Sequence, residues 1–193
     1  MTTSLDVRFP PEWAVLACSG ESQREALNWY GAALAELGVD VADAGNQYLR
    51  ALTEGLAEVG VSGIAALMLV NEDGTESVRA VCAVGTMSAA GMSTSGGERM
   101  LAEVAEAGPH PGLDRQTSQV ALAVGNTVRS SAIRWAGELR DASGLAPFVA
   151  ECRYVFAAGV ERVGILHFET DTVVYLEDLE PMFDEIAATV RLR

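Results

Sequence analysis

The segment FVAECRYVFAAGVERVGILHFET (Phe148–Thr170) carries three groups able to move a proton or hold a charge, namely Glu151, Arg153 and His167. The chemistry they suggest is general acid–base work, with His167 as the base. Alternation decides which of the three share a face. In a strand beginning at Phe148, the side chains of Phe148, Ala150, Cys152, Tyr154 and Phe156 point one way, and Val149, Glu151, Arg153 and Val155 point the other. In the following strand Val163, Ile165 and His167 share one face, and Gly164, Leu166 and Phe168 share the other. The first face of the first strand is a core face. The second is mixed and offers a Glu151–Arg153 pair. His167 stands near the end of an apolar row, the usual setting of a hydrogen-bonded, partly buried histidine. Base catalysis would require a nucleophile or acid beside it, and only His110 and scattered carboxylates are on offer. No catalytic residue is assigned.

The motifs that would supply other chemistry are absent. No GxGxxG or Walker sequence follows a strand. GMSTSGGE has the composition of a phosphate loop but lacks the lysine that reaches the phosphate. There is no GxSxG elbow and no HExxH, and a chain with 2 histidines cannot build a His-rich metal site. NEDGTE (Asn71–Glu76) is too short for an EF-hand loop and reads as a hairpin turn. Carboxylate-only magnesium or calcium sites stay open, but no cofactor is expected and no metal ligand is assigned. Cys18, Cys82 and Cys152 lie far apart in apolar surroundings with no CxxC spacing, as small buried hydrophobes do.

Charge narrows the partners. The formal net charge is −14, and all 13 basic residues are arginine. The missing lysine, with abundant Ala, Gly and Val, suits a high-GC genome such as an actinobacterium's. A nucleic-acid backbone needs a basic footprint and an anionic membrane attracts basic segments, so neither is an expected partner. No apolar run reaches the ~18–20 residues of a membrane helix. MTTSLDVRFPPEW lacks the basic and apolar regions of a secretory leader, so a cytoplasmic location is expected. An acidic surface favours a basic protein partner. Seven carboxylates crowd the stretch that contains Glu169, Asp171, Glu177, Asp178, Glu180, Asp184 and Glu185. They read either as a solvated helix face, with acids favourable at its N-terminus, or as a docking surface. Arg134 and Trp135 end a strand, and both residue types recur at interface hot spots, although a core role for Trp135 competes. The partner-binding candidates are Arg134, Trp135, Glu177, Asp178 and Glu180.

These groups need a scaffold. Val7 and Phe9 precede Pro10-Pro11, and Trp13, Val15 and Ala17 resume an alternating strand. Helical spacing predicts one helix from Glu21, with Leu27, Tyr30, Leu34 and Leu37 on one face and a stop at Gly38. A second is predicted over Ala42–Val59, ended by Gly60. A hairpin follows around NEDG, then a loop over TMSAAGMSTSGG, then a short helix over Gly97–Ala107. The remainder is a meander. Strands over QTSQVALAV and TVRSSAIRWAGEL meet at Gly125-Asn126, and those over APFVAECRYVFAA and ERVGILHFET meet through Gly159. A last helix begins near Asp178 with Pro181 in its first turn, and Leu179, Phe183, Ile186 and Val190 form its buried stripe.

The extended start with FPPEW (Phe9–Trp13), the central hairpin and a meander closed by EPMFDEIAATVRL (Glu180–Leu192) are similar to the PsbP-like α/β/α sandwich group of actinobacterial accessory proteins. The resemblance implies a non-enzymatic binding or accessory role and no common catalytic set. The expected architecture is a single α+β domain over 1–193 with the helical pair at 21–59 integral to it. Its mainly antiparallel sheet has about five to seven strands and is covered by helices. The expected function is a non-enzymatic cytoplasmic interaction module of adaptor, secretion accessory or immunity type. The alternative is a small-ligand-binding domain or small enzyme with its site between sheet and helices. Homo-oligomers are compatible with both.

Overall fold

The computed structural model describes residues 5–17, 59–70, 74, 76–89, 97–107, 113–135, 148–159, 161–170 and 173–193. The chain order is β1 (Leu5–Asp6), β2 (Trp13–Ala17), β3 (Val59–Val70), β4 (Glu76–Ser88), α1 (Gly97–Ala107), β5 (Gln116–Leu122), β6 (Gly125–Trp135), β7 (Phe148–Ala157) and β8 (Arg162–Thr170). A 3₁₀ turn (Val173–Tyr175), α2 (Leu176–Ala188) and β9 (Arg191–Leu192) complete it. One sheet runs β2-β3-β4-β8-β7-β6-β5, antiparallel throughout. β1 and β9 form a separate two-stranded ribbon. This is the mainly antiparallel α+β class that the alternation predicts. No described helix is long and apolar enough to cross a membrane.

Both sheet faces carry apolar side chains, so each needs a cover. On one face Trp13, Leu67, Cys82, Tyr154, Phe156, Leu166 and Phe168 pack under Leu179, Phe183, Ile186 and Ala187 of α2. Phe168 and Phe183 stack with centroids 4.4 Å apart, and Trp13 meets both rings edge-on at 6.1 and 6.5 Å. Trp13 Nε1 donates to Met182 Sδ at 3.4 Å, which gives the buried indole a polar partner. On the other face Leu101, Val104 and Ala105 of α1 pack on Val128, Val155, Val163 and Ile165. Gly164 is required by contact. A Cβ there would fall 2.3 Å from Cε2 of the fully buried Phe156 ring.

Several expected boundaries move. Val59 and Gly60, read as the end of a helix, instead open β3 and pair with Met87 and Thr86. A strand partner outweighs the local helix-stop signal of Gly60. Thr86–Ser88, read as loop, therefore belong to β4. The β5–β6 turn is Ala123-Val124, two residues before the expected Gly125-Asn126, and Gly125 (φ 103°) leaves the turn paired with Leu122. α2 starts at Leu176, so Pro181 sits inside the helix and not in its first turn. Val190 is fully buried as expected, but just beyond the helix end. The helices expected from Glu21 and over Ala42–Glu58 lie outside the described residues, as does Cys18.

Cys82 and Cys152 are buried and free. Burial pushes the Cys82 thiol well up and the Cys152 thiol from its ordinary 9.0 to about 11. A raised folded-state value means that the native chain holds the proton more tightly than the unfolded chain. The resulting stability is full below pH 9 and is lost as pH rises through about 11. Urea midpoints between pH 8.5 and pH 10.5 (roughly one unfolded-to-folded pKa interval) are expected to fall more steeply for the native chain than for Cys152→Ala. Equal slopes would show that this thiol does not drive the alkaline loss.

Candidate functional site

The antiparallel register brings the three groups of the Phe148–Thr170 segment onto one sheet face, beneath the α1 side. Ser130, Arg153, His167 and Ala83 lie in one cross-strand row. Ala132, Glu151, Glu169 and Val81 lie in the next. Arg115, just before β5, reaches across to Glu151, its Nη2 2.8 Å from Oε2. Their side chains are 2% and 0% exposed. β6 presents only the methyl of Ala132 beside Glu151, which leaves room for the guanidinium. His167 Nε2 lies 2.7 Å from Glu169 Oε1. Arg153 Nη1 donates to the Val104 carbonyl of α1 at 3.4 Å. The row thus fastens α1 to the sheet as well as holding charge. Arg115 Nε and Nη1, Ser130 Oγ and His167 Nδ1 are buried with no hydrogen-bond partner among the described residues.

A histidine oriented by a carboxylate is half of a nucleophile-activating arrangement. The other half is missing from this row. Ser130 lies two strands from His167, about 9–10 Å at ordinary strand spacing, far outside hydrogen-bond reach. Among the described residues no three His, Cys, Asp or Glu side chains are grouped to hold a metal ion.

A second locus is exposed. Trp13↔Leu67, Val70↔Glu76, Ala150↔Thr170 and Trp135↔Phe148 are register partners. The ends of β3, β6 and β8 and the starts of β2, β4 and β7 therefore meet at one end of the sheet. Leu69, Val70, Ile133, Phe148, Val174 and Tyr175 are large exposed hydrophobics at this end, Val174 at 89%. From β3 to β6 the set spans four strand spacings, about 19 Å. The first turn of α2 adds exposed Glu177 and Asp178.

Four of the five partner-binding candidates fall in this neighbourhood, and Glu180, which pairs with Arg129 midway along β6, is the exception. Arg134 and Trp135 close β6, with backbone partners Val149 and Phe148. Glu177 and Asp178 are exposed in the first turn of α2. Glu180 is partly covered and holds Arg129 of β6 at 2.8 Å, so part of its charge is spent inside the protein. Asp184 accepts from the Tyr154 hydroxyl at 2.5 Å and lies 3.5 Å from Arg129. Burial pushes the Tyr154 phenol well up. These links tie α2 to β6 and β7. Glu169 departs from the solvated reading of the acidic run, because it is fully buried on β8 against His167.

Two participants were missed in sequence. Glu169 stands two residues after His167, so the alternation that placed His167 places Glu169 on the same face. Arg115 had no such signal, because its role depends on crossing β6 to reach a strand 36 residues away.

No family model matches the chain, and no curated protein matches it. Among solved structures it is similar to LpqN, involved in cell envelope biogenesis of Mycobacterium tuberculosis, at 11% identity and a TM-score of 0.49. The match covers 99% of this chain and 84% of that one. A likeness this distant carries no function across, and the PsbP-like resemblance has no matching family model behind it.

Proposed function

We propose that the protein is a non-enzymatic, cytoplasmic interaction module that docks a basic protein partner at the sheet end formed by β3, β6, β7 and the start of α2. The observation that carries this reading is the set of exposed hydrophobics at this sheet end, with exposed Glu177 and Asp178 following Val174 and Tyr175 in the chain. Exposed apolar groups rimmed by charge are what protein interfaces present before they bind. The acids would steer a basic partner, and the apolar groups would hold it. Such a module fits an adaptor, a secretion accessory factor or an immunity-type protein, and the PsbP-like resemblance points the same way.

The test is affinity capture from the native host, with the bound partner then titrated against purified variants. Glu177→Gln/Asp178→Asn and Val174→Ser/Tyr175→Ser are each expected to weaken binding at least about tenfold, the equivalent of ~1.4 kcal/mol. Thermal melting should stay close to that of the native chain, because all four side chains are exposed. A partner retained by both variants would overturn the reading.

A small-ligand site between sheet and α1 is the second reading. It is favoured by the buried polar atoms of Arg115, Ser130 and His167 that have no described partner. A ligand bound there would survive both surface variants and be lost in His167→Ala.

A further inference from the structure

We infer that β5 is a self-association edge, at which a second copy of this chain adds its own β5 antiparallel to form one continuous sheet through two molecules. β5 is the last strand of the seven, and no strand pairs with its outer side among the described residues. Gln116, Thr117, Ser118, Gln119 and Ala121 are exposed. An open strand edge presents a row of unpaired backbone donors and acceptors, and proteins usually blunt it with charge, proline, a bulge or shortness. β5 uses none of these devices. QTSQVAL has no charged residue and no proline, and its register with β6 runs unbroken from Gln116↔Ser131 to Leu122↔Gly125. The opposite edge differs. β2 is five residues long and follows Pro10-Pro11.

The uncharged, self-complementary strand suits a second copy as the occupant. Two copies at −14 each repel one another over most of their surfaces. None of the seven residues of β5 adds to that repulsion, because none is charged. A basic partner, as proposed for the other locus, finds no carboxylate on this strand to pair with. Self-pairing about Gln119 is the one antiparallel register that uses all seven residues. It sets Gln119 opposite Gln119, Ser118 opposite Val120, Thr117 opposite Ala121 and Gln116 opposite Leu122. No like charges meet. It also extends the α2-side core, because Val120, Leu122 and Val124 are partly buried members of that cluster, left at its margin in one copy. The interface is isologous, so it closes at two copies and leaves no growing edge there.

Sedimentation velocity and native mass spectrometry of the full chain over a concentration series test this. The native chain should show a concentration-dependent dimer. Thr117→Lys/Ala121→Lys puts lysines opposite each other across the pair and should weaken the dimer at least tenfold with no change in melting of the monomer. Under mild oxidation Gln119→Cys should cross-link to its mate, since directly opposed strand residues sit about 4.5–5.5 Å apart, within disulfide reach. Ala121→Cys faces Thr117 and should not. A native chain that stays monomeric throughout overturns the inference. So does a dimer that is untouched by the lysines and leaves Gln119→Cys uncross-linked, because it must then use another surface.

Discussion

Replacing Glu151 by alanine is expected to cost about 3–5 kcal/mol of folding stability, the range for removing one member of a buried pair. The reason is what is left behind more than what is lost. The Arg115 side chain is 2% exposed and reaches Glu151 at 2.8 Å. Its guanidinium cannot lose its proton, so without the carboxylate a full charge stays in the interior. Two of its nitrogens already lack described partners. The double change Arg115→Met/Glu151→Leu removes both charges and keeps the volume apolar, and it should recover most of the loss. Urea denaturation of the native chain, both single variants and the double variant measures this directly. A Glu151→Ala cost below about 1 kcal/mol, the scale of an exposed pair, would mean that water reaches the site. That result would also weaken the structural view of the row and move weight to the ligand-site reading.

Phe183→Ala is expected to cost about 3–5 kcal/mol and to loosen α2 from the sheet. Phe183 is fully buried, stacks on Phe168 at 4.4 Å and meets Trp13 edge-on. The ring therefore joins the helix to residues of two strands, Phe168 of β8 and Trp13 of β2. Its removal opens a cavity between layers that a single helix cannot close by shifting, because the Arg129–Glu180 and Tyr154–Asp184 links hold α2 in place. Stability should drop in denaturant titration, and Phe183→Leu should lose less. Partner binding at the α2 start should weaken as well, since Glu177 and Asp178 are aimed by this helix. Full binding by a destabilised Phe183→Ala would separate the acidic turn from the docking surface.

Much of this molecule was legible in its side-chain alternation. The core face of β7 from Ala150 to Phe156, the row of Val163, Ile165 and His167, and the α2 stripe of Leu179, Phe183 and Ile186 all lie where a period of two or of three and four puts them, while Phe148, read on that core face, is exposed at the strand's start. Local signals failed where a distant strand competed. Val59 and Gly60 looked like a helix end, yet pairing with β4 draws them into β3. Pro181 looked like a first-turn residue, yet the preceding 3₁₀ turn lets the helix start earlier.

The sequence by itself determined the class of fold, the faces of its strands and the acidic, lysine-free surface, because these depend on composition and on periods of a few residues. Tertiary structure alone decided the rest. It carried Arg115 across β6 to Glu151, set the β6 end and the α2 start at the same end of the sheet, and placed β5 last in the strand order of the described residues. Each depends on strand order, which follows from the packing of both sheet faces together and leaves no trace in any short run of residues.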